Sequence, residues 1–163
     1  MMESIQVSVD RKNNMKYLLI LLFLFSTLIN SQELIPLEKY VARHKDSIGT
    51  DPSVMFYLTV RCASLNSFYS ALATLSNNES AKEVSEGKQK SYMRFASLAI
   101  QLYKKMRPEA DVEKKVTEQI LAIATEYKNL AEKNYTTQGT YIIGTLKTDG
   151  IACKELEEAV FNQ

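Results

Sequence analysis

The run from Pro52 to Ser76, PSVMFYLTVRCASLNSFYSALATLS, constrains this chain more than any other stretch. Asp51-Pro52 opens it with a capping carboxylate, then a proline whose missing N–H is no loss in a first helical turn. Asn77-Asn78 closes it. Inside, Val54, Leu58, Cys62, Leu65, Tyr69, Leu72 and Leu75 recur at helical spacing and make one continuous stripe. Met55, Phe56, Val60, Ala63, Phe68 and Ala71 widen it until much of the circumference is apolar. A helix of that kind belongs in the middle of a bundle. It also carries a charge, Arg61, and burying a charge is costly unless it is paired.

The segments around this helix read as its partners. Leu34 to Lys45 forms a short first helix with Pro36 in its first turn, Leu37, Tyr40, Val41 and His44 on one face, and Gly49 as a cap beyond it. Ser76-Asn-Asn-Glu79 and Ser80-Ala-Lys-Glu83 both fit the capping box, so a further helix begins near Asn78–Ser80 and runs to about Met106. Its first half is polar and contains Gly87, which predicts that it projects or frays; Tyr92, Phe95, Ala96, Ala99, Leu102, Tyr103 and Met106 give its second half a core face. Pro108 breaks it by disfavouring helical geometry at Arg107. The next helix starts between Pro108 and Asp111, with Val112, Val116, Ile120, Ile123, Tyr127 and Leu130 on its inner face, and ends between Asn134 and Gly139. TYIIGTL is either a short helix or an extended piece. Thr148-Asp149 then caps a last helix with Ala152, Cys153, Leu156, Ala159 and Val160 inward and Glu155, Glu157 and Glu158 toward solvent. The fold class predicted is all-α: four main amphipathic helices plus a short N-terminal one.

Residues 1–31 read differently. Met15-Lys16 precedes the apolar run Tyr17–Ile29, and Ser31 is a small residue at its exit, the layout of a secretory signal peptide. The predicted organisation is a leader over 1–31 and a single helical-bundle domain over 32–163, with residues 1–14 an extension ahead of a start at Met15. An uncleaved signal anchor is the alternative, although Tyr17–Ile29 is short of the roughly 20 apolar residues that span a membrane. Export places the chain in an oxidising compartment, the periplasm or outside the cell. There its two cysteines, Cys62 and Cys153, are expected to pair, closing a loop of about 90 residues worth on the order of 4–5 kcal/mol in the chain-entropy model. Two buried free thiols are the other reading.

Removing residues 1–31 takes away Arg11, Lys12, Lys16, Glu3 and Asp10, leaving 17 basic and 17 acidic side chains of the 20 and 19 in the full chain. This neutral, interspersed balance gives no electrostatic footprint for nucleic acid or an anionic membrane. Lys104-Lys105-Met106-Arg107 and Lys114-Lys115 read as a solvated helix face and helix end. His44 is the single histidine, which leaves no zinc site and no His-based triad, and the inward positions are apolar rather than the carboxylates of a di-iron bundle. Gly139 to Thr145 has the glycine spacing of a phosphate loop but Thr145 stands where its lysine would be. Ser85-Glu-Gly-Lys88 has the spacing of acyl-serine enzymes without their companion motif. Asn78-Glu-Ser80 and Asn134-Tyr-Thr136 fit the glycosylation sequon.

Arg61 is the one distinctive polar residue. It lies on a narrow polar strip near Ser64 and Ser67, pairs with a carboxylate such as Glu118 or Glu126, or anchors a carboxylate-bearing ligand through its planar fork. No catalytic residue, cofactor or metal is expected. The function expected is that of an exported, non-catalytic binding or structural module. Its partner would be a protein or a small apolar or carboxylate ligand, and it would meet the membrane only transiently through the leader. The alternative is a membrane-tethered accessory subunit of an envelope complex, and a third reading is a small enzyme without a recognisable motif.

Overall fold

Asp51 begins the central helix as its chemistry requires. Its Oδ1 accepts from the Ser53 backbone N–H at 2.8 Å and from the Ser53 hydroxyl at 2.7 Å, and these bonds hold its carboxyl below the usual range. The computed structural model describes residues 34–76, 78–108 and 111–161. The expected leader, its cleavage or retention, and the choice of start fall outside the described residues.

The helices are α1 (Leu37–His44), followed by a 3₁₀ turn (Lys45–Ser47), α2 (Pro52–Thr74), α3 (Glu79–Met106), α4 (Val112–Gln138) and α5 (Thr145–Phe161). The described residues contain no strand, and the architecture is the all-α bundle of four main helices and a short leading one. From Leu58 to Asn66 every residue of α2 is buried, whichever way its side chain points. α3, α4 and α5 all pack on this helix, and α1 packs on α5. The apolar girth of α2 thus dictates the number of its neighbours. The stripe stops short of its predicted end, because the helix terminates at Thr74 and Leu75, its C-cap, is 79% exposed.

The surrounding helices keep their predicted inner faces except at Ala159, which is exposed near the end of the last helix, and with three further local differences. α3 is capped by Asn78, whose Oδ1 accepts from Ala81 N at 2.7 Å, rather than by either serine of the two capping boxes. Its polar first half does not project. The Ser70 and Ser85 hydroxyls each donate to the other residue's backbone carbonyl at 3.1 Å, holding that half against α2. Small side chains that satisfy one another let two helix backbones approach where no apolar contact is available. Glu157 is half-buried instead of solvated, because the Ser91 hydroxyl donates to both its oxygens at 2.7 and 2.9 Å.

The largest departure is in the tail. Gly139, at φ 71°, ends α4, and a loop follows to Gly144, at φ 52°, from which α5 departs. Asn134 Nδ2 pins that loop by donating to Tyr141 O at 3.1 Å and Ile143 O at 3.5 Å. α5 therefore starts at Thr145, and Thr148-Asp149 lie in its second turn instead of capping it. The sequence from 139 to 145 joins two helices, so it has neither the strand nor the lysine of a phosphate loop.

Cys62 and Cys153 form a disulfide between α2 and α5, with Cα atoms 5.3 Å apart across a separation of 91 residues. Both are buried, at 1% and 3% exposure. Protein denatured without reductant should show no thiol reactive toward an alkylating reagent. The Cys62→Ser/Cys153→Ser variant should lose about 2–5 kcal/mol in a urea titration, the usual result of removing a native bridge from a small domain. An unchanged midpoint would mean that α5 is held without it.

Candidate functional site

Two features stand out once the helices are in place: a polar network sealed within the bundle and an apolar cleft at its side.

Arg61 lies in the fully buried part of α2, and the side chains of Arg61 and Asp149 are both 0% exposed. Arg61 Nη2 donates to Asp149 Oδ2 across α2 and α5. The Tyr127 hydroxyl, from α4, sits between them. It accepts from Arg61 Nε at 2.9 Å and donates to Asp149 Oδ2 at 2.6 Å. Arg61 Nη1 donates to the Tyr57 hydroxyl at 2.8 Å and to the Ile35 carbonyl at 3.3 Å. The other carboxylate oxygen, Asp149 Oδ1, accepts from the Leu37 backbone N–H at 2.7 Å. That amide is the first of α1, one of the donors a helix cannot satisfy internally. The network therefore joins α2, α4, α5 and the chain entering α1.

Each member has a place in the satisfaction of the others. Desolvating an ion pair costs several kcal/mol per ion unless further hydrogen bonds compensate. Here Tyr127, Tyr57, Ile35 and Leu37 provide them, and among the described residues no buried side-chain nitrogen or oxygen lacks a partner. Burial acts to lower the Arg61 pKa, but Tyr127, Asp149 and Tyr57 outweigh it and hold the guanidinium above its ordinary value. Burial pushes the Tyr127 phenol up, with Arg61 opposing and Asp149 adding to the shift. Nearby, the Tyr69 hydroxyl donates to Leu146 O at 2.6 Å, and burial followed by the Asp149 charge pushes its pKa up to about 12. Gly150 makes room for this approach, since a Cβ there would stand 3.2 Å from that hydroxyl.

The carboxylate that meets Arg61 is thus Asp149, not Glu118 or Glu126. Glu118 is exposed and Glu126 half-buried on α4. The polar strip is occupied differently: Ser64 donates to Val60 O at 2.7 Å and to Ile120 O at 3.0 Å, bridging α2 to α4. An external carboxylate could reach Arg61 only by displacing Asp149. His44 closes α1 half-buried, its ring 4.4 Å from that of Tyr40. Among the described residues no three His, Cys, Asp or Glu side chains gather closely enough to hold a metal ion.

The cleft lies between α1, α2 and α5 and has a volume of about 390 Å³. Leu37, Val41, Ile48, Leu58 and Leu156 supply its apolar lining, and Cys62 of the disulfide contributes to it. Ala42, Ala152 and Ala159 keep it open, as larger side chains there would fill the space. Among the described residues, Glu38 on α1 and Glu155 on α5 are the charged ones that line it. A charge in an apolar helix makes Arg61 conspicuous in the sequence, whereas this cleft forms from ordinary helical positions far apart in sequence. The alanines at 152 and 159, two turns apart on α5, are the only local sign of it.

Arg61→Met should destabilise the protein by about 3–5 kcal/mol in a urea titration, because Asp149 is left charged and buried. Arg61→Met/Asp149→Asn should cost less than the sum of the two single changes, since the second removes the orphaned charge. Strict additivity would mean that the pair does not act as a unit. The tyrosines give a pH dependence. Below pH 10.0, the ordinary phenol value, Tyr69 is neutral in folded and unfolded chains alike and its contribution is intact. Above it the unfolded chain gains by ionising while the folded chain resists, so stability is lost as pH rises from 10.0 toward about 12. In an ultraviolet phenolate titration Tyr69 and Tyr127 should ionise above the ordinary phenol range, together with the loss of helical circular dichroism.

Compared with known proteins, the chain matches no family model, no curated protein and no solved structure.

Proposed function

We propose that this chain is an exported, non-catalytic binding module, working in the periplasm or outside the cell, and that the cleft between α1, α2 and α5 is where it binds. The observation that carries this reading is the division of labour between the two sites. The residues with chemical potential, Arg61, Asp149 and Tyr127, are turned toward one another and enclosed. The cleft between α1, α2 and α5 is instead lined mainly by apolar side chains. Catalysis calls for positioned acids, bases or nucleophiles that reach a substrate, whereas recognition of a small molecule calls for a concave apolar surface with a few polar groups. At about 390 Å³ the cleft is within the roughly 300–1,000 Å³ of small-molecule sites.

Export is supported by the apolar leader read from Tyr17 to Ile29 and by the Cys62–Cys153 disulfide, since such bonds persist in oxidising compartments. Among the described residues no helix is long and apolar enough to cross a membrane. Native mass spectrometry of protein exported by its own host tests the reading. The expected species is Gln32–Gln163 less two hydrogens, accompanied by a population carrying an additional non-covalent mass. A chain held in the membrane fraction with residues 15–31 intact would replace this reading with the tethered accessory subunit.

A further inference from the structure

We infer that the ligand of the cleft is a small amphiphile with an apolar tail and a cationic head, an alkylamine in chemical class. This rests on the cleft being the binding site and adds the sign of the ligand's charge. The cleft offers an apolar tail the lining of Leu37, Val41, Leu58 and Leu156. Among the described residues both charges at the cleft are carboxylates, one on α1 and one on α5, and no basic side chain lines it. Glu38 and Glu155 are exposed, and neither has an ion-pair or hydrogen-bond partner among the described residues. The other exposed carboxylate on these two helices, Glu158, pairs with Lys154 at 3.8 Å one turn away.

Two unanswered carboxylates beside an apolar slot attract a cation and repel an anion, with the modest strength of charges that face solvent. Arg61, the cation that would otherwise recommend a carboxylate ligand, faces Asp149 inside the bundle and is 0% exposed. The chemistry presented to a ligand is therefore negative over apolar, the complement of an amine-headed amphiphile.

The test uses the oxidised chain Gln32–Gln163 and three probes with one tail and different heads: n-decylamine, n-decanol and n-decanoate. Isothermal titration below micelle formation reads affinity, and amide chemical-shift mapping reads location. The amine should bind up to about tenfold tighter than the acid, with the alcohol between them, as two solvent-exposed charges acting with opposite sign on the two heads allow. Glu38→Gln/Glu155→Gln should bring the three affinities together. Ala42→Leu, a change at an exposed position that fills the cleft, should abolish amine binding while leaving the urea midpoint in place. If the three probes bind wild type equally and Ala42→Leu removes them all, the cleft is a binding site but the cationic head is wrong. If none binds, or if binding ignores Ala42→Leu, the cleft reading falls and the ligand class with it.

Discussion

A guanidinium held out of water sets the terms for the rest of this molecule. Arg61 sits where α2 is buried on all sides, so its charge has to be answered within the bundle. Asp149 provides the countercharge from α5, Tyr127 links the two from α4, and Tyr57 shares a nitrogen with the chain entering α1. A buried pair of this kind is weak evidence for net stability, because apolar residues of similar volume can do as well. It is stronger evidence for specificity. Sliding α5 by one turn, or undocking Leu37, would leave a buried charge or amide without its partner. The helices can pack in many ways by apolar contact alone, and the network admits few of them.

The disulfide and the network act on the same two helices, one turn apart along α5. Cys153 follows Asp149 by one helical turn, as Cys62 follows Arg61 by one residue, so the covalent bond and the ion pair fix the register of α5 on α2 together. The bridge limits the unfolded chain, while the ion pair penalises misdocked folded ones. α1, a helix of two turns that could not persist alone, is then held at its first amide by Asp149. One wall of the cleft is that same helix, and Leu37, whose amide is bonded to Asp149, also lines the cleft, so the cleft's geometry depends on the enclosed network.

Much of this architecture was legible in the sequence, and the parts that were not share a cause. Asp51-Pro52, Pro108 and Gly139 announced their helix ends because capping and breaking are local effects. The girth of α2 announced a central helix, and the export reading led to the Cys62–Cys153 pair. Asp149 was misread because Thr-Asp before an apolar run is good capping chemistry, while its true partner lies 88 residues away. Ser70–Ser85 and Ser91–Glu157 escaped for the same reason: a polar side chain looks solvated until the facing helix is known. The cleft was invisible, being defined by what alanines at 42, 152 and 159 leave empty.

The Leu37 amide tests the central claim most directly. As the first amide of α1 it has no intrahelical acceptor, so any protection it shows comes from Asp149 and the packing that Asp149 requires. Native-state hydrogen exchange should find it opening only with global unfolding, at the same free energy as the amides of Leu58 to Asn66. Exchange near the rate of an unstructured amide, while α2 stays protected, would contradict the account and leave the Arg61–Asp149 pair as an isolated contact between two helices.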